Sequence, residues 1–329
     1  MQQIAGTATP VSGIQHRLRA GGYEAIIASV GASLRVLRDA HGDLVVPYKA
    51  DEMRPAMRGA LLAPWPNRTA NGRYEFGGAV HQLPLSEPER ENAAHGLVAW
   101  NDFTVTAKNE SRVTLVGMIE AQPGYPWRVR LETSFDLDAD GLTQRVVATN
   151  EGTAPAPFGV GGHPYLAAGP AHAGAVDAWF LELPADRFIR VSRGRLLPVA
   201  IDSVAARDGM FDFRRRRLIG STVLNHAFGD LHRDASNRTR VRVTDRQGFG
   251  VELETDASTR WIQVYTTDAA CPEDRRQAVA VEPMSCPPDA LNSKLDLITL
   301  EPAASSSTEW TIRRAADTAR GESRAMHST

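Results

Sequence analysis

Trp127-Arg128-Val129-Arg130-Leu131-Glu132-Thr133, then Asp138-Ala139-Asp140-Gly141, then Leu142-Thr143-Gln144-Arg145-Val146-Val147-Ala148 is the stretch that decides the fold. Apolar and polar residues alternate in the first segment, the period-2 pattern of a half-buried strand. The central four residues form a turn, whose glycine takes positive φ without a Cβ clash. The third segment can then return antiparallel. The design recurs upstream, where Thr104-Val105-Thr106 and Val113-Thr114-Leu115-Val116 flank the turn Lys108-Asn109-Glu110-Ser111. It recurs downstream in Val241–Thr244, the turn Asp245-Arg246-Gln247-Gly248, and Val251–Glu254.

Helical periodicity is scarce by comparison. One short helix is predicted near Ser203–Asp208, with Ser203 as its cap. The 27 glycines and 20 prolines suit many turns and shaped loops. The expected fold is therefore all-β, a large antiparallel β-sandwich with few short helices. A chain of 329 residues would by size alone suggest two domains, but one large β unit can reach this length. No break in composition and no repeat divides it. The expected organisation is an N-terminal arm over residues 1–17, one β-sandwich domain over 18–314, and a flexible tail over 315–329.

Lys and Arg number 37 against 39 Asp and Glu, a formal net charge of -2. A broad nucleic-acid surface would need excess positive charge, so no nucleic-acid partner is expected. No apolar run reaches the length of a membrane-spanning helix, so no membrane partner is expected. Met1 to Pro10 lack a basic start followed by an apolar stretch, which points to a cytoplasmic protein. Cys271 and Cys286 are the only cysteines, too few for a disulfide scaffold or a thiolate zinc site.

Four polar clusters could carry chemistry. In Ala63-Pro64-Trp65-Pro66-Asn67-Arg68-Thr69-Ala70-Asn71-Gly72-Arg73-Tyr74, two prolines stiffen a loop that presents an amide and a guanidinium. A structural turn with an exposed arginine is the plainer reading from the pattern alone. Asn92-Ala93-Ala94-His95-Gly96-Leu97 and Phe158-Gly159-Val160-Gly161-Gly162-His163-Pro164-Tyr165 each hold a histidine able to exchange a proton near neutral pH. A hydrogen-bonded loop histidine is the plainer reading of each. In Val279-Ala280-Val281-Glu282-Pro283-Met284-Ser285-Cys286-Pro287-Pro288-Asp289-Ala290-Leu291-Asn292, Glu282 ends an apolar run. Burial there would raise its pKa toward that of a general base, whereas pairing to an arginine would make it structural. A metal held by His95, His163 and Glu282 is a further reading. The run Arg214–Arg217 reads as a solvated turn or a polyanion site. Phosphate-loop, dinucleotide and nucleophile-elbow motifs are absent from the sequence.

Taken together and in order, the clusters resemble the aldose 1-epimerase family, or galactose mutarotases. The matching segments are Pro64-Trp65-Pro66-Asn67-Arg68 with Gly72-Arg73-Tyr74, His95-Gly96, Gly162-His163-Pro164-Tyr165, and Glu282 through Ala290. Lesser matches are Phe211-Asp212-Phe213-Arg214, the Asp230 region, and Trp261-Ile262-Gln263-Val264-Tyr265, so the likeness spans about residues 20 to 312. The sequence departs from the family with Thr266-Thr267-Asp268, where Thr-Gly-Asn is common. The resemblance implies a galactose mutarotase-like β-sandwich with an open sugar cleft. It implies Glu282 as general base and His163 as general acid. It implies Asn67, Arg68, His95, Asp230 and Gln263 as the residues that hold sugar hydroxyls.

The implied reaction interconverts α and β anomers of a free hexose such as glucose or galactose. Ring opening and reclosure by proton transfer needs no redox carrier and no metal, so no cofactor is expected and the partner is a small sugar. Two other functions stay open at this stage. One is an epimerase for a hexose phosphate or modified sugar, with Arg68 and Arg214–Arg217 facing its charge. The other is a carbohydrate-binding module without turnover. Trp65 or Trp261 could cover a sugar face, although core packing suits both better.

Overall fold

The computed structural model describes residues 8–269 and 271–315. The deciding stretch forms a tight hairpin of Val129–Asp138 and Gly141–Asn150, in register from Val129↔Asn150 to Asp138↔Gly141. Asp138 closes the turn by accepting the Asp140 N–H at 2.8 Å, and Gly141 adopts φ +114°. The two other sequence hairpins form in the same way. Asn109 accepts the N–H groups of Ser111 and Arg112, and Asp245 accepts that of Phe249 at 3.0 Å. These short polar side chains satisfy turn donors that the strand ladder cannot reach.

The hairpins join one nine-stranded sheet. Its order runs Thr104–Lys108, Arg112–Ile119, Val129–Asp138, Gly141–Asn150, Ser305–Arg314, Gly250–Thr255, Thr239–Thr244, Phe180–Glu182, Arg217–Leu218. A second, eight-stranded sheet runs Pro198–Ser203, Ala185–Val191, Asn225–Leu231, Trp261–Tyr265, Val279–Met284, Gly161–Gly162, Leu61–Leu62, with Tyr165–Leu166 also paired to Val279–Met284. Every strand-to-strand pairing in both sheets is antiparallel. A four-stranded sheet built from Gln15–Ala20, Tyr23–Ala28, Ser33–Asp39 and Gly42–Asp43 precedes them.

Alternation along the strands sorts the residues into layers. Leu131, Phe135, Val146, Leu253 and Trp310 of the nine-stranded sheet share one buried cluster with Phe228, Ile262, Val264 and Val281 of the eight-stranded sheet. On the other face of the nine-stranded sheet, Glu252 takes Arg242 and Arg313 at 2.6 Å each, and Glu254 takes Arg240 and Arg313 at 2.7 Å. The protein is thus an all-β sandwich, as the alternation foretells.

Two details differ from the sequence reading. A regular strand already begins at Gln15, within the stretch set apart as an arm; residues 1–7 and 316–329 of the arm and tail lie outside the described residues. The helix expected at Ser203–Asp208 is a single turn over Ala206–Gly209, with Arg207 and Asp208 at positive φ. Ser203 ends a strand instead, because the pairing Arg187↔Ser203 claims its backbone. Cys286 is buried, Cys271 is exposed, and neither is bridged.

Gly162 of the eight-stranded sheet packs against Trp310 of the nine-stranded sheet. A Cβ there would sit 2.7 Å from Cζ2 of Trp310. Gly162→Ala should cost about 1–3 kcal/mol of overpacking strain. Gly169→Ala, with open space around it, should stay within about 0.5 kcal/mol of the parent. Denaturant unfolding of both variants checks this; equal stability of the two would contradict the packing described.

Candidate active site

The eight-stranded sheet brings the chemistry together through its register. Every residue of Val279–Met284 is buried, and Glu282 lies on this strand. Gly161 pairs with Met284 and Tyr165 with Ala280, so the same register places His163 opposite Glu282. His163 sits in the short break between those two pairings. Its N–H donates to Ala60 O at 3.1 Å, and its carbonyl accepts from Gly59 N at 2.8 Å. The outcome is His163 Nε2 3.4 Å from Glu282 Oε1, with the side chains 6% and 3% exposed.

On its other side Glu282 is paired with Gln263. Directly paired residues point to the same face, so the carboxamide stands beside the carboxylate. Gln263 Nε2 donates to Asn225 Oδ1 at 2.7 Å, which adds the next strand to the polar row. Asn67, Arg68 and His95 arrive from a separate two-stranded ribbon in which Arg68 pairs with Ala94. Asn67 and His95 both hold left-handed backbone, φ +57° and +64°, and His95 N donates to Asn67 O at 2.8 Å. Non-glycine residues pay strain for such angles, and asparagine tolerates them best. The segment after Glu282 clamps this ribbon. Asp289 N donates to Arg68 O at 2.7 Å, and Asp289 Oδ1 accepts from Ala70 N at 2.9 Å.

These groups line one cleft of about 350 Å³ that holds Asn67, Arg68, His95, His163, Gln263 and Glu282, six of the seven residues named from sequence. Asp230, expected in the cleft, is outside its lining. It lies on the exposed surface with φ +51° and pairs with Arg187 at 3.0 Å. It lies at the other end of Asn225–Leu231 from Asn225, outside the cleft lining. Asn225 occupies the cleft in its place.

Sequence reasoning also missed Glu87, whose carboxylate grips Arg68 through Nε at 2.7 Å and Nη2 at 2.8 Å. Its only sequence cue was the charged run Ser86-Glu87-Pro88-Glu89-Arg90. Trp65 and Trp261 are buried core residues outside the cleft lining, and Trp261 donates its indole N–H to Asp296 at 2.8 Å. The arginine run does not face the cleft either. Arg214 is held by Asp212 and Asp186, Arg216 lies over Phe180, and Arg217 over Phe213.

Burial dominates the electrostatics. It pushes the Glu282 carboxyl up to about 8, opposed in part by the charge of Arg68. It holds His163 well below the ordinary imidazole value, aided by His95 and by the Arg54 and Arg68 cations. His95 is pushed down to about 3, again by burial first and Arg68 second. Near neutral pH the pair therefore carries one proton, favoured on the carboxyl with both groups uncharged. The ionic distribution, imidazolium and carboxylate, has the same proton count.

His95, His163 and Glu282 also offer ligand atoms that all lie within 4.8 Å of one another. Bonds of about 2.1 Å hold tetrahedral ligand atoms about 3.4 Å apart, so the set would have to close to grip an ion.

The family model described as aldose 1-epimerase matches residues 15–313. The chain is 37% identical over 292 residues to the protein YihR of Escherichia coli K12, covering 88% of this chain and 90% of the relative. Its fold is similar to the GalM/aldose epimerase homologue of C. elegans, at TM-score 0.78 and 20% identity over 92% of this chain and 100% of the other. It is similar also to galactose 1-epimerase of Lactobacillus acidophilus NCFM, at TM-score 0.75 and 18% identity over 92% and 95% of the two chains. At these identities the two structures speak for the fold alone.

The pKa pattern fixes a pH dependence. The one-proton state lasts from the His163 step, below 6.5, to the Glu282 step near 8. Anomer-exchange kcat/KM should be flat across that window. It should fall above about pH 8 as the pair loses its last proton, and fall at acid pH as the pair takes a second. Rates measured over about pH 4–10 check this. An acid limb at the ordinary carboxylate value, with no loss above pH 8, would contradict it.

Proposed function

This chain belongs to the aldose 1-epimerase family, a family of isomerases, and from that membership we propose that it interconverts the α and β anomers of a free aldohexose. The observation that carries the reading is the opposed His163–Glu282 pair, 3.4 Å apart in a buried polar cleft. O1 and O5 of a pyranose are both bonded to the anomeric carbon. Two partners this close can therefore face both oxygens at once.

The steps follow from that placement. With the shared proton on Nε2, His163 gives it to ring oxygen O5 while Glu282 takes the proton of the O1 hydroxyl. The C1–O5 bond breaks and C1=O1 forms. The shared proton has now crossed from His163 to Glu282. The aldehyde turns about C1–C2, and the C5 hydroxyl adds to its other face. Glu282 returns a proton to O1 as His163 takes one from the attacking hydroxyl, which restores the pair. Proton transfer by positioned groups is worth about 10²–10⁴-fold. Holding the sugar by Asn67, Arg68, His95, Gln263 and Asn225 adds orientation.

The charge balance of the cleft supports a neutral sugar over a phosphorylated one. Arg68 is already matched by a two-bond Glu87 carboxylate, and Arg214, Arg216 and Arg217 are engaged elsewhere. Galactose and glucose are the first substrates to try.

Polarimetry of freshly dissolved α-D-galactose and α-D-glucose, with glucose 6-phosphate for comparison, tests the reading. The parent should accelerate exchange of a neutral hexose, and Glu282→Gln and His163→Asn should each reduce kcat about 10²-fold or more with the fold retained. Near-parental rates in either variant would overturn that residue's role, and a preference for the phosphate would overturn the neutral substrate. Exhaustive chelation should leave the rate unchanged. A loss restored by a divalent ion would assign the His95, His163 and Glu282 cluster to a metal instead.

A further inference from the structure

A catalytic histidine is usually aimed by a hydrogen bond from its second ring nitrogen to a carboxylate or carbonyl. Among the described residues Nδ1 of His163 is buried with no partner from another residue, its own backbone carbonyl being the one hydrogen-bonding group that favours the charged ring, while Nε2 faces Glu282. The contacts that hold its ring are aromatic. Tyr165 lies nearly parallel to it, at 8° with ring centroids 5.1 Å apart. His95 meets it edge-on, at 65° and 5.3 Å.

Tyr165 is itself firmly tied. Its backbone pairs with Ala280 on the strand that carries Glu282. Its hydroxyl donates to Ala56 O at 3.0 Å, in a turn that lines the cleft with φ +45° at Ala56. The Arg58 guanidinium lies 5.7 Å from its ring centroid.

We propose that Tyr165 is the positioning residue of His163, its ring fixing the imidazole plane that aims Nε2 at Glu282 and supporting the imidazolium that opens the sugar. The inference rests on His163 being the general acid. Parallel offset rings attract, and the electron-rich face of a phenol favours a cation above it. The other groups acting on the imidazole are Glu282, His95, Arg54, Arg68 and the backbone carbonyl of His163 itself, which favours the charged ring. His95, Arg54 and Arg68 oppose its protonation, and Glu282 is itself favoured in its uncharged form. Tyr165 can support the cation without adding a charge to a buried site.

The test compares the parent with Tyr165→Phe, Tyr165→Leu, and a series of ring-fluorinated phenylalanines installed at the same position. Activity toward a neutral hexose is followed against pH for each. Tyr165→Phe keeps the stacked ring and should stay within about twofold of the parental kcat. Tyr165→Leu should lower kcat about tenfold or more, with KM changed less than about threefold. The acid limb should move to lower pH in Tyr165→Leu, and progressively so as fluorine withdraws electron density from the ring. The fluorinated rings nearly keep the shape of Phe, so this arm stands even where Tyr165→Leu fails to fold.

Equal kcat in Tyr165→Phe and Tyr165→Leu, or an acid limb fixed across the fluorinated series, would overturn the proposal. An inactive His163→Asn beside an unmoved limb in that series overturns this inference alone. An active His163→Asn overturns the acid assignment beneath it.

Discussion

One proton shared by two buried groups is the constraint on which the site depends. Water would stabilise a carboxylate and an imidazolium separately, and each would then titrate at its ordinary value. Excluded from water, both groups favour their neutral forms. Their contrary shifts leave a single exchangeable proton over the neutral range. A reaction that takes one proton and gives another needs such a pair, because each half-reaction leaves it in the state the other half uses.

The fold serves this constraint through strand register. The pairings Gly161↔Met284 and Tyr165↔Ala280 set His163 against Glu282, although 119 positions separate them in sequence. Tyr165 then extends the same register from the backbone to the orientation of a ring. The ribbon carrying Asn67, Arg68 and His95 is held against this sheet by Asp289. Glu87 meets the one charge of that ribbon that faces the pair closely enough to depress His163 and His95. Without Glu87, the Arg68 cation would favour the carboxylate form of Glu282 more strongly and drain the proton from the pair.

Much of this was legible in the sequence, for identifiable reasons. The Val129–Asp138 and Gly141–Asn150 hairpin announces itself because period-2 burial and an Asp-Ala-Asp-Gly turn are local properties. Asn67 and His163 stand out beside prolines and glycines and Glu282 at the end of an apolar run, whereas the grouping of these residues with His95 comes from the resemblance of the ordered segments to a family. Asp230 misled because it shares a strand with the cleft residue Asn225, and the sequence pattern does not show which end of that strand reaches the cleft. Glu87 reaches Arg68 from 19 positions along the chain, so no local pattern marks it, and Tyr165 stands in the quoted His163 segment without a pattern to show that its ring lies against the imidazole. Ser203–Asp208 failed as a helix because pairing with the neighbouring strand outweighed a weak local preference.

The most direct measurement is a crystal structure with a slowly reacting pyranose analogue bound. The account predicts O5 within about 3 Å of His163 Nε2 and O1 within about 3 Å of the Glu282 carboxyl. A sugar seated in the cleft with its anomeric carbon turned away from this pair would contradict it.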